Sequence, residues 1–413
     1  MRAVVIGAGV IGLMCAYQLR KRGAEVVILD KGQPGGVCSL GNAGWVVPSM
    51  SLPLPAPGLA LTFLKSMLSP NSPMQIEAQS PVPLTGWLWS FWRHCTERDY
   101  NAGVAALAGL NRNTMALYDE LERDGIACEM QRAGVLFLFR SESAMRHALE
   151  GLTIQAPQPL QGAALRELEP AVSNAAAAGF LVKEDRHLRP ESLMAGLTTW
   201  LTSQGVELQA DREVLGGVRT GNRLSAIATS RGVVAGDRFV IASGAWSGQL
   251  AKRFGFDLPM QAGKGYSITV ANPGIKLRHP TYLHEAKVAC SPFPGVLRLT
   301  GAMDLSGLNQ KMHARRIAAI WRGAGKYFQD WGPCDGQSEW MGLRPLTPDG
   351  LPAIGRAPGF ENLYVATGHQ MLGVTLAPAT AAALADLIYN GRTHFDMSAF
   401  DPGRFSDSRA MVA

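Results

Sequence analysis

Apolar residues follow two different periods along this chain, and the switches between them mark its elements. Ala3 to Ile6 is apolar at consecutive positions, the pattern of a strand buried on both faces. After a glycine-rich turn the apolar residues recur at helical spacing up to Gly23, and Val26 to Leu29 is a second buried run. A long helix is predicted from Asn101 to Arg123, closed by Asp124-Gly125, and a strand over Gly134 to Phe139. A further helix starts at Pro190 and stops before Gly205. Short strands follow, with turns at Gly221-Asn222 and Gly236-Asp237, the last running from Phe239 to Ala242. Between about 262 and 334 the pattern is strand-like and interrupted by prolines ("GYSITV", "KVACS", "VLRLTGAM"). The chain then returns to strand, glycine loop and helix in "ENLYVATGHQMLGVTLAPATAAALADLIYNGR".

Composition narrows the class. Of 413 residues 47% are apolar and 17% charged, as expected of a globular protein with two to three domains' worth of core. No apolar run approaches the roughly 20 residues that span a bilayer. "RAVVIGAGVIG" reads as structure from Arg2, so no signal peptide is expected. Six scattered cysteines without a C-x-x-C pair argue against a zinc site and for reduced thiols, hence a cytoplasmic protein. The net charge of +6 suits an anionic ligand. The densest basic run, "KMHARRIAAIWRGAGKYF" from Lys311, reads as a solvated helix face, so no nucleic-acid partner is expected. A Pro- and Leu-rich stretch, 49–85, precedes Trp87, Trp89 and Trp92, an amphipathic run suited to covering a cavity or to peripheral contact with the inner face of a membrane.

The first chemical signal is Gly7-x-Gly9-x-x-Gly12, set between the first strand and its helix. Gly7 permits the tight turn, Gly9 lets backbone approach a pyrophosphate, and Gly12 lets the helix pack on the sheet. Val10 and Ile11 open the helix whose N-terminus favours phosphate charge. Asp30, 18 residues beyond Gly12, and Lys31 end the second strand, where a carboxylate can accept from ribose hydroxyls and would repel a 2′-phosphate. The motif indicates a dinucleotide and leaves FAD and NAD both open.

Four stretches in this order resemble the D-amino-acid oxidase and dehydrogenase superfamily of flavoproteins, and bacterial D-amino acid dehydrogenases most of all. They are "VVIGAGVIGLMCAYQLRKRGAEVVILDK", "SLGNAGWVVPS", "VIASGAWS" and "MGLRPLTPDGLPAIG" followed by "LYVATGHQMLGVTLAP". The resemblance implies FAD as cofactor, with Ser39, Asn42, Ala43 and Gly44 beside it and Gly35 and Gly36 turning the backbone toward it. It also implies cofactor contacts from Val214, Ala242, Gly244, Trp246 and Gly342, and from Gly368, Met371, Gly373, Val374 and Thr375 in the last glycine loop. The implied fold is α/β: a Rossmann-like FAD-binding domain (1–49, 151–261, 335–413) interleaved with a substrate domain on a mixed or antiparallel sheet (50–150, 262–334).

For the substrate, the resemblance implies that Arg344 pairs with a carboxylate by two parallel hydrogen bonds and presents Cα–H to flavin N5. The product would be an imine, which water converts to a 2-oxo acid and ammonia. The expected activity is oxidation of a D-amino acid, or alternatively of a secondary or cyclic one of the proline, hydroxyproline or sarcosine type. Electrons would pass to oxygen or to a quinone chain. Gln370 replaces the family's usual glycine and joins Tyr266 and Arg344 as a candidate catalytic residue. Tyr282, His284, Arg298 and His369 are further candidates around the pocket, and no metal is expected.

Overall fold

Side chains of the Arg2–Ile6 and Arg238–Ile241 strands are shared between two cores by their two-residue period. Ala3, Val5 and Val240 face one core, and Val4, Ile6, Phe239 and Ile241 face the other. Strands buried on both faces belong to parallel sheets covered on both sides, and that is the arrangement found. The computed structural model describes residues 1–59, 74–76, 84–152, 156–332 and 337–411. Much of the Pro- and Leu-rich stretch, together with Cys334, lies outside them.

The six-stranded sheet runs in the order Glu207–Gln209, Glu25–Leu29, Arg2–Ile6, Arg238–Ile241, Leu363–Thr367, Ala353–Arg356. Its first five strands are parallel and the last is antiparallel. The helices Val10–Lys21, Pro190–Ser203 and Gly373–Asn390 share the core on one face. A three-stranded sheet (Val214–Thr220, Arg223–Thr229, Gly232–Ala235) and the helix Ser247–Phe254 share the core on the other.

A nine-stranded mixed sheet forms the second half. Gln337–Leu346, Gln261–Ala271, Val296–Leu305 and Val288–Phe293 pair antiparallel in that order. Thr281–Leu283 follows and pairs parallel with Val135–Phe139. Ala178–Val182 and Pro159–Gln161 end the row, and Met74–Ile76 adds a parallel edge to Val296–Leu305.

The sheets divide the chain at points other than the sequence boundaries. Pro159–Gln161, Ala178–Val182 and Gln337–Leu346 hydrogen-bond into the nine-stranded sheet although 151–261 and 335–413 were expected on the cofactor side. Leu107, Leu110, Tyr118 and Leu121, from the 50–150 segment, pack into the helix layer of the six-stranded sheet. Local pattern identifies a strand but not its partner, and the partner assigns the domain.

Two further expectations are corrected. The helix expected over Asn101 to Arg123 is two helices, Glu97–Asn111 and Thr114–Arg123. At the break Thr114 Oγ1 donates to Asn111 Oδ1 at 3.1 Å, a local side-chain bond of the kind that competes with helix continuation. The basic run from Lys311 does hold a helix, Ala314–Ala324, but Arg316 within it is buried and pairs with Asp304 at 2.7 Å. Of the tryptophan helix, Leu84–Arg93, Trp87 and Phe91 pack against Met303, Leu305 and Leu346, while Trp89 (63%) and Trp92 (51%) are exposed. No described helix is long and apolar enough to cross a membrane.

Candidate active site

The glycine motif is built as a cradle. Gly7 has φ +114°, and a Cβ on it would stand 2.4 Å from the Ala242 carbonyl oxygen. A Cβ on Gly12 would stand 1.8 Å from the Gly7 carbonyl oxygen, so this glycine holds helix to sheet from behind the loop. Asp30 orders the turn: its two carboxylate oxygens accept from Ala8 N (2.6 Å) and Gly32 N (2.8 Å). At the start of Val10–Lys21, Ser39 Oγ accepts from Val10 N at 3.0 Å, and the first helical bond is Leu13 N to Gly9 O. The amides of Ile11 and Gly12 precede that bond and have no acceptor among the described residues, which leaves donors and a positive dipole end for an anion.

The segment after the second strand folds back over this cradle. Gly35 (φ +103°) and Gly36 (φ +55°) turn the chain into a short helix, Gly36–Ser39. Asn42 then staples the loop, donating to Ser39 O and accepting from Gly44 N (2.6 Å). Gly44 lies against the next chain segment, where a Cβ would stand 1.9 Å from Leu188 O. Ser291 Oγ donates to Ala43 O (2.7 Å) and accepts from Trp45 Nε1 (2.9 Å). Thr375 Oγ1 accepts from Val47 N and donates to Trp45 O, both at 3.1 Å. Arg298 clamps the loop from the nine-stranded sheet. Its guanidinium donates to Leu40 O, Asn42 O and Thr269 Oγ1 and pairs with Glu191 at 2.5 Å.

These elements enclose a cavity of about 660 Å³. One cluster of wall residues comprises Asp30, Lys31, Glu213, Val214, Ala242 and Trp246; Gly244 lies beside it. Within it Lys31 Nζ stands 3.6 Å from the centre of the Trp246 ring, and burial draws the ammonium below its ordinary pKa. Gly7, Gly9, Val10, Ile11, Ser39 and Asn42 line the stretch beside the helix N-terminus, with Ala43 and Gly44 next to them. The other cluster includes Tyr282, Ala302, Gly342, Arg344, Gln370 and Met371, with Gly373 and Val374 nearby. Gly12, Gly368 and Thr375 are not on the wall; they support it from behind, Gly368 packing on Thr347 and Thr375 tying Trp45–Val47 to the last helix.

Arg344 is one of two cations on this side of the described wall, the other being Lys287. Arg344 Nη1 donates to Ala302 O at 2.7 Å, and no carboxylate lies within ion-pair distance of the guanidinium among the described residues. Burial lowers the guanidinium pKa, opposed by the Cys38 thiol and Asp304, yet an arginine stays charged. A half-buried cation without a counter-ion is a place for an anionic ligand. The only acids on the described cavity wall, Asp30 and Glu213, belong to the first cluster.

Three candidates sit differently from expectation. Tyr266 is fully buried with its hydroxyl donating to Asp304 Oδ2 at 2.9 Å, and is absent from the cavity wall. Arg298 has its donors committed to the loop, Thr269 and Glu191, as above, and His284 packs against Phe139 and Tyr282 away from the wall. Gln370 does line the cavity, at φ +51°, but it is tied down by Gln370 N to Pro345 O (3.0 Å) and by its amide to Gly350 O. His369 lines it too; Nε2 meets Thr380 Oγ1 at 3.0 Å and burial lowers its pKa to about 3, so the ring is neutral. Tyr282 is on the wall, its pKa pushed up to about 12 by burial, so its hydroxyl keeps its proton.

Residues 2–387 match the family described as DAO: FAD dependent oxidoreductase. The chain belongs to that family. This oxidoreductase is similar in fold to three solved structures, among others. Glycine oxidase from Geobacillus kaustophilus is 24% identical with a TM-score of 0.77, over 98% of this chain and 99% of that one. L-proline dehydrogenase from P. horikoshii is 18% identical with a TM-score of 0.73, over 99% and 98%. L-alpha-glycerophosphate oxidase from Mycoplasma pneumoniae, solved with FAD bound, is 15% identical with a TM-score of 0.71, over 97% of each.

FAD is the cofactor of this oxidoreductase, and the residues fit it. The glycine cradle, the free amide of Ile11 and the cation at Lys31 suit a pyrophosphate and adenosine, and the glycine-lined wall admits a planar ring. Sequence reasoning missed Glu213 and Arg253, which line the cavity and pair at 3.0 Å, and it missed Ala302 and Met303. Neither pair lies in a motif: Glu213 and Arg253 meet where a helix packs beside the start of Val214–Thr220, and Ala302 and Met303 reach the wall through long-range strand pairing.

Proposed function

We propose that this chain oxidises a D-amino acid to its imine, which hydrolyses to a 2-oxo acid and ammonia. The observation that carries the proposal is Arg344, a guanidinium on the cavity wall with one bond to protein and no counter-ion among the described residues. Bound flavin supplies the two-electron acceptor. Arg344 takes the substrate carboxylate and fixes which face of Cα is presented. The amine must be neutral for its lone pair to drive loss of the Cα hydrogen. Among the described residues the wall around Arg344 offers no acid to hold an ammonium, which favours the neutral form. Met50, Leu54 and Met303 line the same cavity and give it an apolar wall.

The D configuration rests on the resemblance of the "SLGNAGWVVPS" and "GLRPLTPDG" stretches. A secondary or cyclic amino acid is the second reading, favoured by this apolar wall and by the likeness to an L-proline dehydrogenase. Oxygen or a quinone takes the electrons onward, and peroxide yield in air separates the two. A peripheral membrane contact through the exposed Trp89 and Trp92 belongs to the same proposal.

The test is Arg344→Ala. Losing one partner of a desolvated charge pair costs about 2 to 5 kcal/mol, a fall in kcat/KM of roughly 30- to several-thousand-fold. Arg344→Lys recovers part of it, and FAD content stays near normal. On an amine lacking the carboxylate the two proteins are similarly poor. Near-wild-type kcat/KM of Arg344→Ala on the best amino acid would sink the reading.

A further inference from the structure

We infer that the irregular pairing between Gln261–Ala271 and Val296–Leu305 is a positioning device that sets the height and rotation of the Arg344 guanidinium. The inference rests on the carboxylate-binding reading of Arg344.

The two strands pair regularly from Ala271↔Val296 to Tyr266↔Gly301, then slip, and resume at Lys264↔Asp304. Ala302 and Met303 thus stand opposite the single residue Gly265, a bulge of two residues against one. Ala302 has φ +59°, a left-handed conformation that costs an alanine energy and persists only where its surroundings impose it. In that conformation its carbonyl accepts from Arg344 Nη1 at 2.7 Å. This bond uses one of the five guanidinium N–H groups, leaving four without a partner among the described residues.

Gly265 supplies the other half of the device. It sits mid-strand, where glycine is unfavourable, and its φ lies outside the left-handed range, so backbone conformation does not require it. Space does. A Cβ on Gly265 would stand 2.3 Å from Arg344 Nη2, 2.4 Å from Cζ and 2.9 Å from Nε. The guanidinium therefore lies flat on bare backbone at Gly265, with one edge pinned by Ala302. Behind the bulge, Asp304 is held by the Tyr266 hydroxyl (2.9 Å) and the Arg316 guanidinium (2.7 Å), both buried. Tyr266, absent from the wall, is thus a positioning residue: through Asp304 it fixes the strand from which Ala302 presents its carbonyl.

The experiment is a double-mutant cycle on FAD-loaded protein with Gly265→Ala and Arg344→Ala, read by KM, by the Kd of benzoate from its flavin absorbance change, and by thermal melting. Gly265→Ala is expected to raise KM and the benzoate Kd about tenfold, with the flavin spectrum unchanged. In the Arg344→Ala background, where the space above residue 265 is empty, the same change should have no effect on kcat/KM and should melt like its parent. Tyr266→Phe should raise KM severalfold with kcat little altered. Additive losses would overturn the inference, because Gly265 would then matter for something other than the guanidinium. So would failure of Gly265→Ala to fold in both backgrounds. A large loss for Arg344→Ala with none for Gly265→Ala sinks the positioning role and leaves the carboxylate role standing. No loss for either variant removes the carboxylate role first, and the inference with it.

Discussion

The six-stranded half of the molecule offers the cavity mostly backbone, and the nine-stranded half offers it side chains. In the first, glycines at 7 and 9 and a free amide at a helix start form the surface, Gly12 backs it, and Asp30 spends both oxygens ordering it. In the second, Arg344 and Tyr282 project from strands, each set by its neighbours. The two arginines of that sheet sharpen the difference. Arg298 is saturated by the 40–42 loop, Thr269 and Glu191 together, whereas the Arg344 guanidinium makes a single hydrogen bond among the described residues. A saturated arginine is structure, and an unsaturated one on a cavity wall is available to a ligand.

The largest way to break this comparison is Gly12→Ala. The new methyl group would collide with backbone that cannot yield, so the first helix must leave the sheet. Purified protein should carry almost no FAD by flavin absorbance; full occupancy would mean the cradle is looser than it is built. Next comes Arg298→Met, which removes the clamp on 40–42. Its ion pair is partly exposed, so a loss of about 1 to 3 kcal/mol in stability is expected. FAD affinity should fall about tenfold, with KM of the FAD-loaded fraction changed less than about threefold. A large rise in KM with normal FAD affinity would reverse the roles assigned to the two arginines.

The smallest effect is one of pH. The folded pKa of His369, about 3, lies below the ordinary 6.5, so between those values only the unfolded chain takes the proton. That stability is complete above about pH 6.5 and declines as pH falls toward 3. Urea unfolding at pH 7.5 and 5.5 should show a smaller drop for His369→Gln than for wild type. Equal drops would mean that His369 is not kept neutral by burial.

Legibility in the sequence follows the same division. Strand, glycines, helix and Asp30 fall within 30 consecutive residues, so a local pattern carries the cofactor cradle. The parts of the arginine device come from Gly265, Ala302 and Arg344, far apart in the chain; local pattern marks their strands but not the pairing that brings them together. Strand parity explains the misplaced tyrosine. Neighbouring residues face opposite sides of a sheet, and it is Gly265, not Tyr266, that faces the arginine. Thr375 and Gly368 were expected beside the cofactor; Thr375 stands in the first turn of the last helix, and both are turned inward, off the cavity wall.

The first helix, Val10–Lys21, is covered chiefly by the last, Gly373–Asn390, and by Pro190–Ser203. Leu13, Met14 and Tyr17 therefore have no complete shelter while the chain is still being made. At translation rates of 5–20 residues per second, roughly 20 to 70 seconds separate the emergence of the glycine cradle from that of its lid. Throughout that interval a growing chain presents a sticky apolar stripe to whatever else is in the cell. A nonsense mutation anywhere before residue 373 would make the exposure permanent, so its product should be a substrate for chaperones and proteases rather than a weakened enzyme.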